Sequence, residues 1–368
     1  MTASSESPRY GLSDEQAESW PLVTVNILTH DRAEVLRESL EAILGRLDYP
    51  KDRLEVIVVD NASTDATVEM VKRDFERVRL IENDADVGTS GWNLGLREGA
   101  GDYFLILDDD CYMLDQSLKH AVLTAQREQA DLVSFRVVRI GDEQYVYNEE
   151  YDTGLLSFWG CSALLSRRAV DTLDGFDPNI FLWGFELEFT MRLLDRGLKH
   201  TFLPTVTSLH HKKPSVFTPF FYRANMRALA YIAAKHMTPR HAVGAWLTLA
   251  LTVVLETLQV PAARAGIPAV VRGGWTGIRD REPLRPEVSR LYRRNLIDFL
   301  SPLAYVRGPK ERLAGRREPP AEDHVMAKKR RFWRSRPELY PREPRSLRLA
   351  GAPESGRKDS PTAESPHA

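Results

Sequence analysis

The chain has 368 residues, 43% of them hydrophobic, with 50 Lys and Arg against 52 Asp and Glu, so it is a globular protein larger than one minimal domain and not a wholly disordered one. The balance hides an asymmetry, because Arg307 to Ala368 holds 16 basic and 9 acidic residues and leaves residues 1–306 acidic. Cys111 and Cys161 are the two cysteines, which excludes a disulfide scaffold, shows no metal-ligand spacing and fits a reducing cytoplasm.

Residues 1–20 are rich in Ser and Glu and lack the apolar core of a signal peptide, so they read as a disordered leader with nothing to direct export. Leu22 to Leu28 predicts a strand bounded by Thr29-His30-Asp31-Arg32. Asp31, with Glu34 three residues on, has the pattern of a capping box, and Leu36, Leu40, Ile43, Leu44 and Leu47 recur at helical spacing up to Pro50. Leu54 to Val59 is a second strand, of the β-branched kind buried in parallel sheets, and it runs into Asp60-Asn61-Ala62-Ser63-Thr64-Asp65.

Val68, Val71 and Phe75 predict a helix, Val78 to Ile81 a short strand, and Gly88-Thr89-Ser90-Gly91 opens a helix carrying Trp92 and Leu96. The apolar run Tyr103 to Leu107 then stops at Asp108-Asp109-Asp110. Three adjacent carboxylates repel one another unless a cation or donors offset the charge, so a divalent-metal site is one reading; a solvated acidic turn after an edge strand is the other. Strands alternating with helices predict an α/β fold with a parallel sheet and right-handed crossovers, and ligands bind such sheets at the carboxyl ends of the strands.

Beyond this point Leu132 to Ile140 reads as a strand and Tyr145 to Phe158 as an aromatic, polar, substrate-facing loop. Phe158 to Leu165 precedes a basic turn at Arg167-Arg168; Asp174 to Pro178 is a turn, and a helix runs through Arg192 to Arg196 and stops at Gly197. A strand ends near Leu203, and His210-His211-Lys212-Lys213 follows. Ala242 to Leu255 is free of charge but shorter than the ~20 apolar residues a membrane span needs, which predicts a core or interfacial helix. After Arg307 the apolar periodicity ends and prolines cluster, so 307–368 reads as a disordered basic tail containing Lys328 to Arg334. The expected organisation is a leader over 1–20, a catalytic domain over 21–214, a helical extension over 215–306 and the tail.

Five blocks of this sequence, in order, resemble the family-2 glycosyltransferases, most closely the branch containing bacterial rhamnosyltransferases. They are Thr29-His30-Asp31-Arg32, Val58 to Asp65, Gly88 to Gly95 with Asn93-Leu94-Gly95, Asp108-Asp109-Asp110, and Gly175-Phe176-Asp177 followed by Trp183 to Arg192. The similarity spans roughly Val23 to Ile278. It implies a GT-A fold, with a Rossmann-like mostly parallel sheet flanked by helices and a C-terminal helical extension. It also implies metal-dependent, inverting transfer of a sugar from a nucleoside-diphosphate sugar to an acceptor hydroxyl. Three departures stand out: His30-Asp31 replace the usual Asn, Trp92 precedes Asn93 where the family often has Arg, and Phe185-Glu186 stand where the family has Glu-Asp, with Glu188 opposite the final Asp of that motif.

The resemblance implies that Asp110 ligates Mg²⁺ or Mn²⁺, with His210 preferred to His211 as a further ligand. It places Thr29, Arg32, Asp60, Asn61, Asn93, Asp108 and Asp109 at the donor, Asp108 turned towards the ribose and Asp65 supporting the Asp60 loop. The cation stabilises charge on the leaving diphosphate. Glu186 is the general base, preferred to Glu188, which suits a helix N-terminus through its charge alone. Trp159 and Trp183 are expected as pocket walls for sugar rings or as core, and Glu188 and Arg192 as acceptor-side or supporting groups.

The runner-up reading within enzymes is a sugar-nucleotide nucleotidyltransferase, although the first strand lacks that class's Gly-rich phosphate loop. A non-catalytic nucleotide-sugar or glycan-binding protein of the same fold is the second alternative, and nucleic-acid binding through Lys328 to Arg334 the last. The expected acceptor is a glycan, a lipid-linked sugar or a small molecule. Ala242 to Leu255 and the basic tail together predict a cytoplasmic protein held peripherally at the inner face of the cell membrane by its anionic surface.

Overall fold

Strand β1 (Val23–Thr29) is buried along nearly its whole length and sits inside the sheet of the computed structural model, which describes residues 20–113, 115–146, 155–211, 218–258, 260–299 and 345–349. It is flanked in parallel by β2 (Leu54–Asp60) and β4 (Tyr103–Asp108), and β3 (Arg79–Glu82) runs parallel to β2. Helices α1 (Ala33–Arg46), α2 (Thr67–Asp74) and α3 (Trp92–Glu98) supply the crossovers that parallel neighbours require.

The second half adds β5 (Cys111–Met113), α4 (Ser117–Glu128), β6 (Leu132–Arg139), β7 (Asp142–Val146), β8 (Ser162–Ser166), α5 (Arg167–Leu173), α6 (Phe185–Asp195) and β9 (His200–His210). The sheet order is β10-β9-β6-β8-β4-β1-β2-β3, where β10 is Arg345–Leu347. Here β8 runs antiparallel to both β4 and β6, so the sheet is mixed beside an all-parallel N-terminal part. Strand β5 departs from the main path to pair with β9.

Helices α7 (Pro219–His236), α8 (Pro239–Glu256), α9 (Gly266–Arg279) and α10 (Pro286–Phe299) make up the helical extension. They do not fold apart from the sheet. One buried cluster joins Phe104, Phe176, Phe185 and Phe189 to Met226, Tyr231 and Tyr292, and Tyr292 donates a hydrogen bond to the Leu156 carbonyl. A second cluster, with Ile27, Leu40, Val58 and Leu107, fills the other face of the sheet.

Four sequence expectations are corrected. Asp31 is not the cap of α1: the N-cap is Arg32, and Asp31 has φ +52°, a left-handed conformation that Asp tolerates. Its carboxylate accepts instead from the backbone N–H groups of Thr64 and Asp65 and ties the two loops together. Arg167-Arg168 open a helix rather than a turn, with Ser166 Oγ accepting from the Ala169 N–H as its cap. The strand predicted to end near Leu203 continues to His210, because the pairing with β6 skips Pro204, Thr205 and Val206 as a bulge and resumes at Thr207. Within the stretch read as a disordered tail, Arg345–Leu347 pairs antiparallel with β9. The leader up to residue 19, part of the 145–158 loop and Lys328 to Arg334 lie outside the described residues.

Candidate active site

In register, Leu28 of β1 stands beside Asp108 of β4, Thr29 beside Asp60 of β2, and Asp60 beside Glu82 of β3. The polar residues that end the apolar runs therefore collect along one carboxyl edge of the sheet, where α/β folds place ligands. Asp60 is buried; its Oδ2 accepts from the Ser63 N–H at 2.9 Å, whereas Oδ1 has no hydrogen-bond partner among the described residues. An unpaired acceptor buried at this edge suits a donor group from outside the chain.

Asp110 meets His210 because the chain reverses immediately after it. Strand β5 pairs Cys111 with His210, and the His211 N–H donates to the Asp110 carbonyl at 3.2 Å. One ligand atom each from Asp108, Asp110 and His210 lie within 4.8 Å of one another. His210 Nε2 is 3.2 Å from Asp110 Oδ1 and 3.8 Å from Asp108 Oδ2. His210 Nδ1 is 2.6 Å from the His211 carbonyl, which only accepts, so Nδ1 carries a proton and Nε2 faces the carboxylates. A ring nitrogen oriented by a backbone carbonyl and aimed at two carboxylates matches the outer-shell arrangement of a metal-ligating histidine. Two hard oxygen donors with one imidazole fit Mg²⁺ or Mn²⁺.

Asp109 turns away from that cluster. Thr29 Oγ1 donates to its Oδ2 at 2.9 Å, and Arg32 reaches Asp109 at 3.0 Å and Asp110 at 2.8 Å. Burial pushes the Asp109 carboxyl up to about 7 against the pull of Arg32, and the neighbouring Asp110 and Asp108 charges add to the rise. The three consecutive acids thus divide into a cluster with His210 and a buried carboxyl bridged to Arg32 and Thr29.

On the other side of β4, the Asp108 N–H donates to the Cys161 carbonyl at 3.0 Å. The turn through Trp159 and Gly160 is thereby fixed beside the metal cluster. A β-carbon on Gly160 would stand 2.5 Å from Glu186 Oε1, which places Glu186 against the same turn. Glu186 lies in the first turn of α6, and its Oε2 accepts from the Gly184 N–H at 3.1 Å. Trp183 and Gly184 both have left-handed φ, +52° and +90°, a costly conformation for a Trp that holds its ring 4.9 Å from Phe221.

Several expected site residues serve the framework. Asn61 donates to Asp86 and to the Gly88 carbonyl and accepts from Asn83, so its side-chain amide braces three loop positions. Asn93 brackets Phe176, donating to its carbonyl and accepting from its N–H, both at 2.8 Å. Glu188 is fully buried and held by Arg192 at 2.7 Å and by His236 at 2.8 Å, so it ties α6 to α7. Trp159 is partly buried on the second hydrophobic cluster. Asp65 accepts from the N–H groups of Ala33 and Thr67 and secures the starts of α1 and α2.

The resemblance turned Asp108 towards the ribose, whereas the structure groups its carboxylate with Asp110 and His210, as the acidic run read alone allowed. Sequence reasoning missed His236, the partner of Glu188 from 48 residues away, for which the sequence carries no local sign.

Residues 24–183 match the family model described as Glycosyl transferase family 2. The glycosyltransferase AglE of Haloferax volcanii is 27% identical over 209 residues, covering 53% of this chain and 68% of its own. A Methanococcus voltae protein named as a dolichyl N-acetyl-α-D-glucosaminyl phosphate 3-β-D-2,3-diacetamido-2,3-dideoxy-β-D-glucuronosyltransferase is 24% identical over 219 residues, covering 53% of this chain and 68% of its own. A mannosyltransferase of Pyrobaculum calidifontis, solved with GDP-Man and Mn²⁺, aligns with a TM-score of 0.52 at 21% identity over 86% of this chain and 88% of that one. The shared architecture is the GT-A fold.

Proposed function

From the match of residues 24–183 to the model described as Glycosyl transferase family 2, we propose that the chain is a family-2 glycosyltransferase and moves a sugar from a nucleoside-diphosphate sugar to an acceptor hydroxyl by single displacement, with inversion. The observation that supports this reading is that Glu186 and Asp108 of the Asp108–Asp110–His210 cluster both contact one turn, Trp159 to Cys161. A group that takes a proton from an acceptor and a group that holds a leaving diphosphate need that adjacency.

Asp108, Asp110 and His210 would hold Mg²⁺ or Mn²⁺, which when bound would supply positive charge where the diphosphate departs. Arg32, anchored on Asp109 and Asp110, places a guanidinium beside the same site. Asp60 offers Oδ1 to the ribose or base. Glu186 accepts the acceptor hydroxyl proton as that oxygen bonds to the anomeric carbon from the face opposite the leaving group. The carbon–oxygen bond to the diphosphate breaks in the same step, and inversion follows. The Methanococcus voltae relative is named for a dolichyl-phosphate-linked sugar, and on that ground we place the acceptor on a lipid carrier and the enzyme at the reducing face of a membrane.

The test is nucleoside-diphosphate release from a panel of donors with Mn²⁺ or Mg²⁺, with anomeric configuration of the product read by NMR. Turnover with inverted product is expected. Donor binding without turnover of any donor would establish the non-catalytic binding reading instead.

A further inference from the structure

The helical extension has two opposed faces. On α9 the inner face is glycine: β-carbons on Gly273 and Gly277 would stand 2.2 Å from the Arg227 carbonyl oxygen and 2.4 Å from that of Tyr231, so α9 lies directly on the backbone of α7. Its outer face carries Ile267, Val271, Trp275 and Ile278, each at least 41% exposed, with Trp275 at 72%. Helix α8 repeats the division. His241, Ala245, Leu249 and Val253 are buried, while Val243, Leu247, Leu251, Val254 and the following Leu258 are exposed at i, i+4, i+8, i+11 and i+15. Trp246 Nε1 donates to the Val270 carbonyl at 3.2 Å, which holds the two helices side by side.

Large apolar residues in paired exposed stripes are not the random scatter of a solvated surface. The fully exposed charges within this stretch are all positive. Arg240, Arg264, Arg272 and Arg279 are exposed, and between residues 239 and 279 the sole acid is Glu256, half-buried. We propose that the outer faces of α8 and α9 dock on an anionic lipid bilayer, with the apolar stripes entering the interface and the arginines meeting lipid phosphates. A self-complementary pairing with a second copy would instead bring arginines against arginines without acidic partners. No described helix is long and apolar enough to cross a membrane, so the contact is one of surface and not of insertion across the bilayer.

The surface also ends at the acceptor side of the site. Tyr222 of α7 interacts with Glu256 at the end of α8, and Gly266 at the start of α9 packs on Met226 of α7. Phe220 and Phe221, just before Tyr222, pack tilted and edge-on against Trp183, the residue that precedes Gly184 and α6. A lipid-linked acceptor in that bilayer would present its sugar near Glu186; this part of the inference rests on the proposed transfer.

The experiment is co-sedimentation of the full chain with phosphatidylcholine vesicles, with and without phosphatidylglycerol, over a salt series. Nucleoside-diphosphate release is measured in parallel without vesicles. Binding that needs phosphatidylglycerol and weakens with salt is expected. The double substitution Leu247→Glu with Val271→Glu, at two exposed positions, should lower vesicle partitioning about tenfold or more and leave thermal stability and vesicle-free release unchanged. A double variant that sediments like the wild type overturns the proposal, since the basic tail would then carry the contact. A dimer that the double substitution converts to a monomer, with no vesicle binding by the wild type, overturns it in favour of a second copy. Vesicle binding as expected with no donor turned over would leave this surface standing and remove the proposed transfer.

Discussion

Gly160 and Glu186 are so closely apposed that a β-carbon on the glycine would lie 2.5 Å from Glu186 Oε1 and 2.4 Å from Phe185 Cζ. Gly160→Ala therefore forces Phe185 and Glu186 to move, although Gly160 has no group that reacts. A displacement of about 1 Å in a positioned group costs on the order of 100-fold in rate. We expect kcat to fall by that order while donor affinity holds, as measured by steady-state kinetics and calorimetric donor titration. Wild-type turnover in this variant would dissociate Glu186 from the reaction.

Glu186→Gln should lower turnover by ~10²–10⁴-fold, the usual worth of a positioned general base. The amide keeps the size of the side chain and still accepts from the Gly184 N–H, so the start of α6 is preserved. Donor binding should be unchanged. A parallel loss of donor affinity and rate would assign Glu186 to the donor rather than to the acceptor.

Removing a ligand should act on the metal directly. Asp110→Asn and His210→Ala should each lose at least the ~10–100-fold in Mn²⁺ affinity that loss of even an outer-shell partner costs. Mn²⁺ binding followed by electron paramagnetic resonance gives this independently of turnover. Undiminished binding in both variants would move the cation elsewhere.

Glu188 governs acid stability. Burial alone would raise its carboxyl, but the Arg192 charge and the hydrogen bonds from His236 and Arg192 outweigh burial and bring it from 4.5 down to about 2. Its stabilising contribution is therefore complete above pH 4.5 and is lost as pH falls towards 2. Glu188→Gln leaves Arg192 without its carboxylate partner inside the core, which costs about 3–5 kcal/mol when a buried pair is broken. We expect a lower Tm at neutral pH and a flatter Tm profile between pH 4.5 and 2 than in the wild type. Parallel profiles would mean that other carboxylates set the acid limit.

The sheet edge was legible because apolar runs that stop abruptly at Asp60 and Asp108 carry their own boundary, and the order of five polar blocks fixed which edge gathers them. His210 was singled out by resemblance; its delivery was hidden, because Pro204 interrupts the strand pattern and the chain resumes pairing three residues later. Asp31 misled because the spacing of a capping box does not report φ. Asn93 and Asn61 were legible as polar loop residues, but their hydrogen-bond partners lie on loops distant in sequence, so the bracing they supply leaves no local pattern. The union of the helical extension with the sheet core rests on contacts such as Tyr231 with Asp177 and His236 with Glu188, which no periodicity encodes.

The bulge at Pro204–Val206 also works as a parity switch. Leu203 pairs with Phe135 and Thr207 with Arg136, so two residues four apart, which share a face in a regular strand, are sent to opposite faces. His210 inherits that inversion and arrives on the side where Asp108 and Asp110 wait. Because the extra count is odd, the same residues running on without a bulge would bring Leu209, not His210, round to the acids. The side to which His210 is delivered thus depends on the break in alternation at this bulge.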